Sequence, residues 1–175
     1  PARVTGSSAG AIVAGAWAYR MTSEELLLVL TDLKREKFWD PALGFGFLKG
    51  AKLEAFMREL FQDREQHIPI AISTFDVFAR RTKSFVDGDI PKAIRASCAV
   101  PFMFHPVRIG NRFYLDGGIR DKQALDSVRS DETVLLHYLP RFGPEKIFEN
   151  KNSVELLRKN HFVISPETLP DVGPN

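Results

Sequence analysis

The chain is 175 residues long, 44% hydrophobic and 26% charged, a balance that suits one globular domain with a substantial core. A formal net charge of +2 is too small to argue for nucleic acid despite a pI of 8.8, and no RNP-like, zinc-like or heptad pattern adds to that case. The single cysteine, Cys98, excludes an internal disulfide framework, no apolar run approaches the ~20 residues of a bilayer span, and the first residues do not read as a signal peptide.

In chain order the pattern alternates strand and helix. Residues 2–5 read as a short strand and 9–20 as a helix of small residues. The strand is met almost at its end, which raises the expectation that more of a larger catalytic unit lies upstream. Thr22, with Glu25 three residues on, is a capping-box start for a second helix reaching about Lys37. "DPALGFGFLKG" at 40–50 is a glycine-rich aromatic loop, and Leu53, Phe56, Met57, Leu60 and Phe61 recur at helical spacing across 51–62.

"IPIAIST" at 68–74 is a buried-strand run, and "VFARRTKSFV" at 77–86 reads as two strands about a basic turn. Asp89 with Pro91 starts a further helix. "PVRIGNRFYL" at 106–115 is a hairpin whose Gly110-Asn111 pair suits a two-residue turn. "TVLLHYL" at 133–139 reads as an interior strand, 152–160 as a helix and "HFVIS" at 161–165 as a last strand. Strands alternating with helices predict an α/β fold with a mainly parallel sheet covered on both faces. The short basic clusters at 34–37 and 79–83 read as solvated faces.

Chemistry concentrates at two glycine-bearing places. Gly6-Ser7-Ser8-Ala9-Gly10 matches G-x-S-x-G, the pattern of a nucleophile elbow between a strand and a helix. Ser8 would project from a strained turn, and the following helix end, with the Ala9 N–H, would face a developing oxyanion. The second place is "YLDGGIRD", where Asp116 ends a strand and Gly117-Gly118 let the backbone turn and approach closely. Strand ends are where reactive groups collect in an α/β sheet, so Asp116 is the candidate base for Ser8.

"GSSAG" at 6–10, "AIRASCAVPFMFHPV" at 93–107 and "DGG" at 116–118 together make the chain resemble the patatin-like phospholipases. The middle block is similar to that family's A-S-x-A-x-P segment at Ala96, Ser97, Ala99 and Pro101. The resemblance implies a three-layer α/β/α sandwich spanning 1–175 as a single catalytic domain, truncated at its N-terminus and cut short at its C-terminus. It implies a lipid acyl hydrolase with Ser8 as nucleophile, Asp116 as base, an acyl-serine intermediate, and no metal or organic cofactor.

Two departures stand against the family pattern. No glycine-rich oxyanion loop precedes the elbow, leaving Ala9 as the visible donor. The D-G-G-x-x-x-N-x-P continuation would place Asn at 122 and Pro at 124, where this chain has Lys122 and Ala124. Other readings stay open: a Ser–His–Asp esterase using His137 or His161, or a catalytically inert lipid-binding module. His105 and Cys98 read as structural.

Trp39, Phe45 and Phe47 are either core or a lipid-facing rim, the glycines between them making an apolar lip. The expected partners are a phospholipid or other acyl-ester lipid and a peripheral membrane surface. No nucleic acid is expected, and self-association would run through exposed sheet edges. The expected location is the cytoplasm or the membrane periphery.

Overall fold

The computed structural model describes residues 1–32, 34–138 and 161–164. Its contacts divide the chain into two compact units, Pro1–Val128 and Arg129–Asn175.

The first unit opens with strand β1 (Val4–Ser7), followed by helix α1 (Ala9–Ala18) and helix α2 (Ser23–Thr31). Thr22 caps α2 through the predicted capping box: its hydroxyl accepts the Glu25 N–H and the Glu25 carboxylate accepts the Thr22 N–H. The helix stops at Thr31 rather than about Lys37. There the Thr31 hydroxyl bonds back to the Leu27 and Leu28 carbonyls, and a separate short turn of 3-10 helix covers Arg35–Lys37.

The 40–50 segment is more ordered than a loop. It contains strand β2 (Gly46–Leu48), which leads into the predicted amphipathic helix α3 (Ala51–Phe61). Strand β3 (Ile70–Asp76) then turns into β4 (Arg81–Phe85), with the Asp76 carboxylate accepting the Phe78 and Ala79 N–H groups inside the turn. Helix α4 (Ile90–Ser97) starts as predicted, Asp89 accepting the Lys92 N–H with proline in the first turn. Strand β5 (Phe102–Phe104) pairs with β2, and β6 (Val107–Ile109) and β7 (Arg112–Asp116) form the hairpin about Gly110-Asn111.

Strand β3 is the spine of the five-stranded sheet. β1 pairs with it in parallel and β4 runs antiparallel along it. β7 also pairs antiparallel with β3, at Thr74, Phe75 and Asp76, and carries β6 beside it. A strand has two edges, and β4 occupies one of them from Ile72 to Asp76. β1 and β7 therefore share the other edge, end to end. The expected α/β class is present, with the parallel pair beside the elbow, tight hairpins joining β3 to β4 and β6 to β7, and β7 returning antiparallel to β3.

The main core lies between β1 and β3 and helices α1, α3 and α4, where Ile70, Ile72, Met57, Ile90 and Ile94 are buried. Burying each such side chain is worth about 1.5–3 kcal/mol relative to exposure. Gly15 lets α1 approach this layer: a Cβ there would come within 2.7 Å of the Ile94 Cδ1. Ala71 and Ser73 alternate onto the other face of β3, where the described cover is the segment after β7 rather than a helix, Asp121 accepting the Ser73 hydroxyl at 2.8 Å.

The second unit shows strand β8 (Val134–His137) parallel to β9 (His161–Ile164). β8 alternates half-buried and exposed positions, so it is not the interior strand its apolar run predicts. An alternating strand has one face turned to water even where its residues are apolar. The helix expected at 152–160 lies outside the described residues.

Candidate active site

Ser8 stands between β1 and α1 with φ 55° and ψ −126°, a left-handed backbone that a non-glycine residue holds at a cost of about 1–3 kcal/mol. The strain is held in place by two contacts to its main chain. Its N–H donates to the Ser97 Oγ at 2.9 Å, and its carbonyl accepts from the Cys98 thiol at 3.3 Å. Ser97, fully buried at the end of α4, donates in turn to the Ser73 carbonyl on β3 at 2.6 Å.

With the backbone pinned, the Ser8 hydroxyl donates to the Asp116 Oδ2 at 2.7 Å. The register of β3 explains the meeting. Ser7 lies opposite Ser73, and Asp116 lies opposite Thr74, the next residue along the same edge. Asp116 is buried, its N–H donates to the Ala99 carbonyl at 3.0 Å, and its Oδ1 accepts the Gly118 N–H at 2.7 Å. One carboxylate oxygen is thus held by the backbone while the other faces the serine.

The glycines divide by function. A Cβ on Gly6 would collide with the Gly10 carbonyl and lie 2.7 Å from the Ala11 Cα, so only glycine fits. Gly10, the other glycine of the motif, is exposed on α1 and faces open space with nothing within 4 Å. Gly117 is required by contact: a Cβ would strike the Ser73 carbonyl and come within 2.7 Å of the Ser7 Oγ. Gly118 is less crowded, a Cβ there lying 3.0 Å from the Asp116 Oδ1.

Ala9 occupies the first position of α1, where an N–H has no carbonyl from a preceding turn to bond. That makes it a donor available beside the Ser8 hydroxyl, whereas the Ser8 N–H is taken by Ser97. Burial, with the Asp116 charge nearby, pushes the Cys98 thiol far above its ordinary range, so it is neutral and packs as predicted.

Ser97 stands out in the sequence only as part of the A-S-x-A-x-P segment, without a role, and Ser73 and Asp121 carry no motif. Asp121 is buried and accepts from the Ser73 hydroxyl and the Leu125 and Asp126 N–H groups, tying the segment after Asp116 to β3. Burial pushes its carboxyl up despite the Ser73 and Leu125 hydrogen bonds. An acid five residues beyond Asp116 was the visible signal. Ala124 is buried at φ 55°, a conformation closed to proline, which accounts for the absence of proline there.

The remaining candidates are placed as follows. Trp39, Phe45 and Phe47 are exposed rather than core. His137 ends β8 and His161 begins β9, while the His105 N–H donates to the Leu48 carbonyl. Two surface concavities lie along α2 and α3, one lined by Phe56, Leu60 and Arg64 and the other by Leu28, Val29 and Phe56, and neither includes Ser8 or Asp116. Among the described residues no group of three His, Cys, Asp or Glu side chains could hold a metal ion, and no helix is long and apolar enough to cross a membrane.

Comparison with known proteins agrees with this architecture. An uncharacterized NTE family protein of Mycobacterium bovis is 28% identical over 97% of this chain and 49% of its own length, and a Mycobacterium tuberculosis counterpart matches equally. The uncharacterized protein YqhO of Bacillus subtilis is 22% identical over 67% of the chain and 53% of its own length. The chain spans about half the length of these relatives. The family described as patatin-like phospholipase matches residues 1–128, the whole of the first compact unit with its strained serine and facing aspartate. The chain belongs to the patatin-like phospholipase family.

Proposed function

We propose that the chain is a serine hydrolase of lipid carboxylic esters, with Ser8 as nucleophile and Asp116 as its direct base. The observation that carries this reading is the 2.7 Å hydrogen bond from the Ser8 hydroxyl to the Asp116 Oδ2, made by a serine held at φ 55°. Family membership supports acyl-ester chemistry on lipids.

Asp116 takes the hydroxyl proton as the Ser8 Oγ attacks the ester carbonyl. The tetrahedral oxyanion is drawn towards the N-terminus of α1 and the Ala9 N–H. Collapse expels the alcohol, which leaves with the proton from Asp116, and the acyl group stays on Ser8. Water then loses a proton to Asp116, attacks the acyl-serine and releases the fatty acid, the proton returning to Ser8. A carboxylate is a weaker base than imidazole near neutral pH, so the fixed geometry must supply much of the rate.

Fluorophosphonate labelling and turnover of an acyl ester test this directly. Ser8→Ala should abolish labelling, and Asp116→Asn, which removes the general base, should lower turnover by about 10²–10⁴-fold. Replacing His137 and His161 with alanine should leave turnover within roughly tenfold. Loss of turnover in the histidine variants at unchanged melting temperature would overturn the dyad in favour of a triad.

A further inference from the structure

We propose that the ribbon of β2 and β5 is a docking surface for an anionic lipid bilayer, which the apolar tip enters while the flanking lysines meet the headgroups. On a soluble surface, strand positions facing water should be polar, yet here they are not. Phe45 and Phe47 are 86% and 77% exposed, Phe102 82%, Met103 52%, and Leu43 fully. Phe47 lies in β2 and Phe45 just before it, and Gly46 between them pairs with Phe102 across the ribbon. The tip is held rather than loose, because the Ala42 N–H donates to the Phe47 carbonyl and the Lys49 N–H to the Asp40 carbonyl.

Phe102 adds an independent sign. Its backbone is left-handed at φ 66°, which is unfavourable for a bulky residue, and the conformation is kept with the ring in water. Such strain is retained where the surroundings give it a use.

Charge chooses the occupant. Residues 34–52 contain five Lys or Arg and two acids, a net +3 against +2 for the whole chain. One of those acids, Asp40, already accepts the Gly50 and Lys52 N–H groups. Lys49, exposed, follows directly on the end of β2 two residues after Phe47, so positive charge borders the apolar tip along the chain. Two copies of this face would repel each other, whereas anionic headgroups attract it, and the rings supply the insertion that charge alone does not. The ribbon also adjoins the site: β5 starts three residues after Ala99, whose carbonyl holds the Asp116 N–H. Docking itself rests on exposure and charge. Only its use, delivery of substrate to Ser8, rests on the proposed hydrolase activity.

The test is cosedimentation of the full Ser8→Ala chain, which cannot consume the lipid, with vesicles of phosphatidylcholine with and without phosphatidylserine. Binding should be stronger with phosphatidylserine and fall as salt rises. Phe45→Ser with Phe47→Ser should lower partitioning on the order of 100-fold at an unchanged melting temperature. Lys49→Gln with Lys52→Gln should lower it about tenfold or more, on the anionic vesicles only. Should the double phenylalanine variant unfold, Leu43→Ser carries the same test, since that side chain has no packing to lose.

Failure of the parent to bind, or equal binding by the serine variants, would overturn the proposal. So would a concentration-dependent dimer in sedimentation velocity that those variants dissolve, because a second copy would then be the occupant. Fluorophosphonate labelling of Ser8 without vesicles reports on the hydrolase reading alone, so either idea can fail by itself.

Discussion

The Ser97 hydroxyl joins the strained turn to the sheet, accepting the Ser8 N–H at 2.9 Å while donating to the Ser73 carbonyl at 2.6 Å. One buried side chain thereby satisfies two backbone groups, and it does so where the Ser8 backbone is least favourable. Ser97→Ala removes the acceptor and the donor together. The expected cost is about 1–3 kcal/mol of stability for the groups left unpaired, measured by urea denaturation. Turnover should fall beyond what the lost stability explains, since Ser8 is no longer pinned. Unchanged stability would mean that water replaces the hydroxyl.

Gly6 and Gly10 flank Ser8 in sequence with equal spacing but should respond in opposite ways to the same substitution. Gly6→Ala places a methyl against the Gly10 carbonyl and the Ala11 Cα, so it should prevent the elbow from closing and abolish labelling of Ser8. Gly10→Ala meets nothing within 4 Å and replaces glycine in a helix, so it should raise stability by about 0.5–1 kcal/mol. Thermal denaturation of the two variants decides between this reading and a motif in which both glycines are required for space.

Two buried carboxylates should impose opposite pH dependences. Burial works to raise the Asp76 pKa, but the Ala79 N–H, the Arg112 guanidinium and the Phe78 N–H together hold it below its ordinary value. Its contribution is therefore complete above the unfolded carboxylate pKa of about 4 and is lost as pH falls through the lower folded value. Asp121 is raised, chiefly by burial, so the folded chain binds its proton more tightly than the unfolded chain. Its contribution is present below the unfolded pKa and declines as pH rises towards the folded one. Relative to the parent chain, Asp76→Asn should lose most stability at neutral pH and little in acid. The Asp121→Asn deficit should be larger in acid than at neutral pH. Urea denaturation across the acid range reads both gaps, and parallel curves would refute the assignment.

Much was legible from local pattern because the determinants are local. The Thr22–Glu25 capping box, the Gly110-Asn111 turn, the Asp89 cap and the small-residue helix after Ser8 each depend on residues within a few positions, and each forms as read. Ser8 and Asp116 could be singled out for the same reason, since an elbow and an Asp-Gly-Gly turn write their constraints into adjacent residues. The end of α2 was less legible than its start: the helix stops at Thr31 with Asp32 as its C-cap, and Arg35–Lys37 form a separate 3-10 turn.

Tertiary structure alone decided what lies between those segments. Residues 108 apart in sequence meet because β1 and β7 share one edge of β3, and strand pairing over that separation leaves no local signature. The link from Ser97 to Ser73 and the tie from Asp121 to the same strand likewise exist only once α4 and the segment after β7 have packed. An aromatic run looks the same in sequence whether it fills a core or faces water, because hydrophobicity states a preference for burial and not the presence of a partner. The chain by itself determined which groups could react, and the register of β3 determined that they meet.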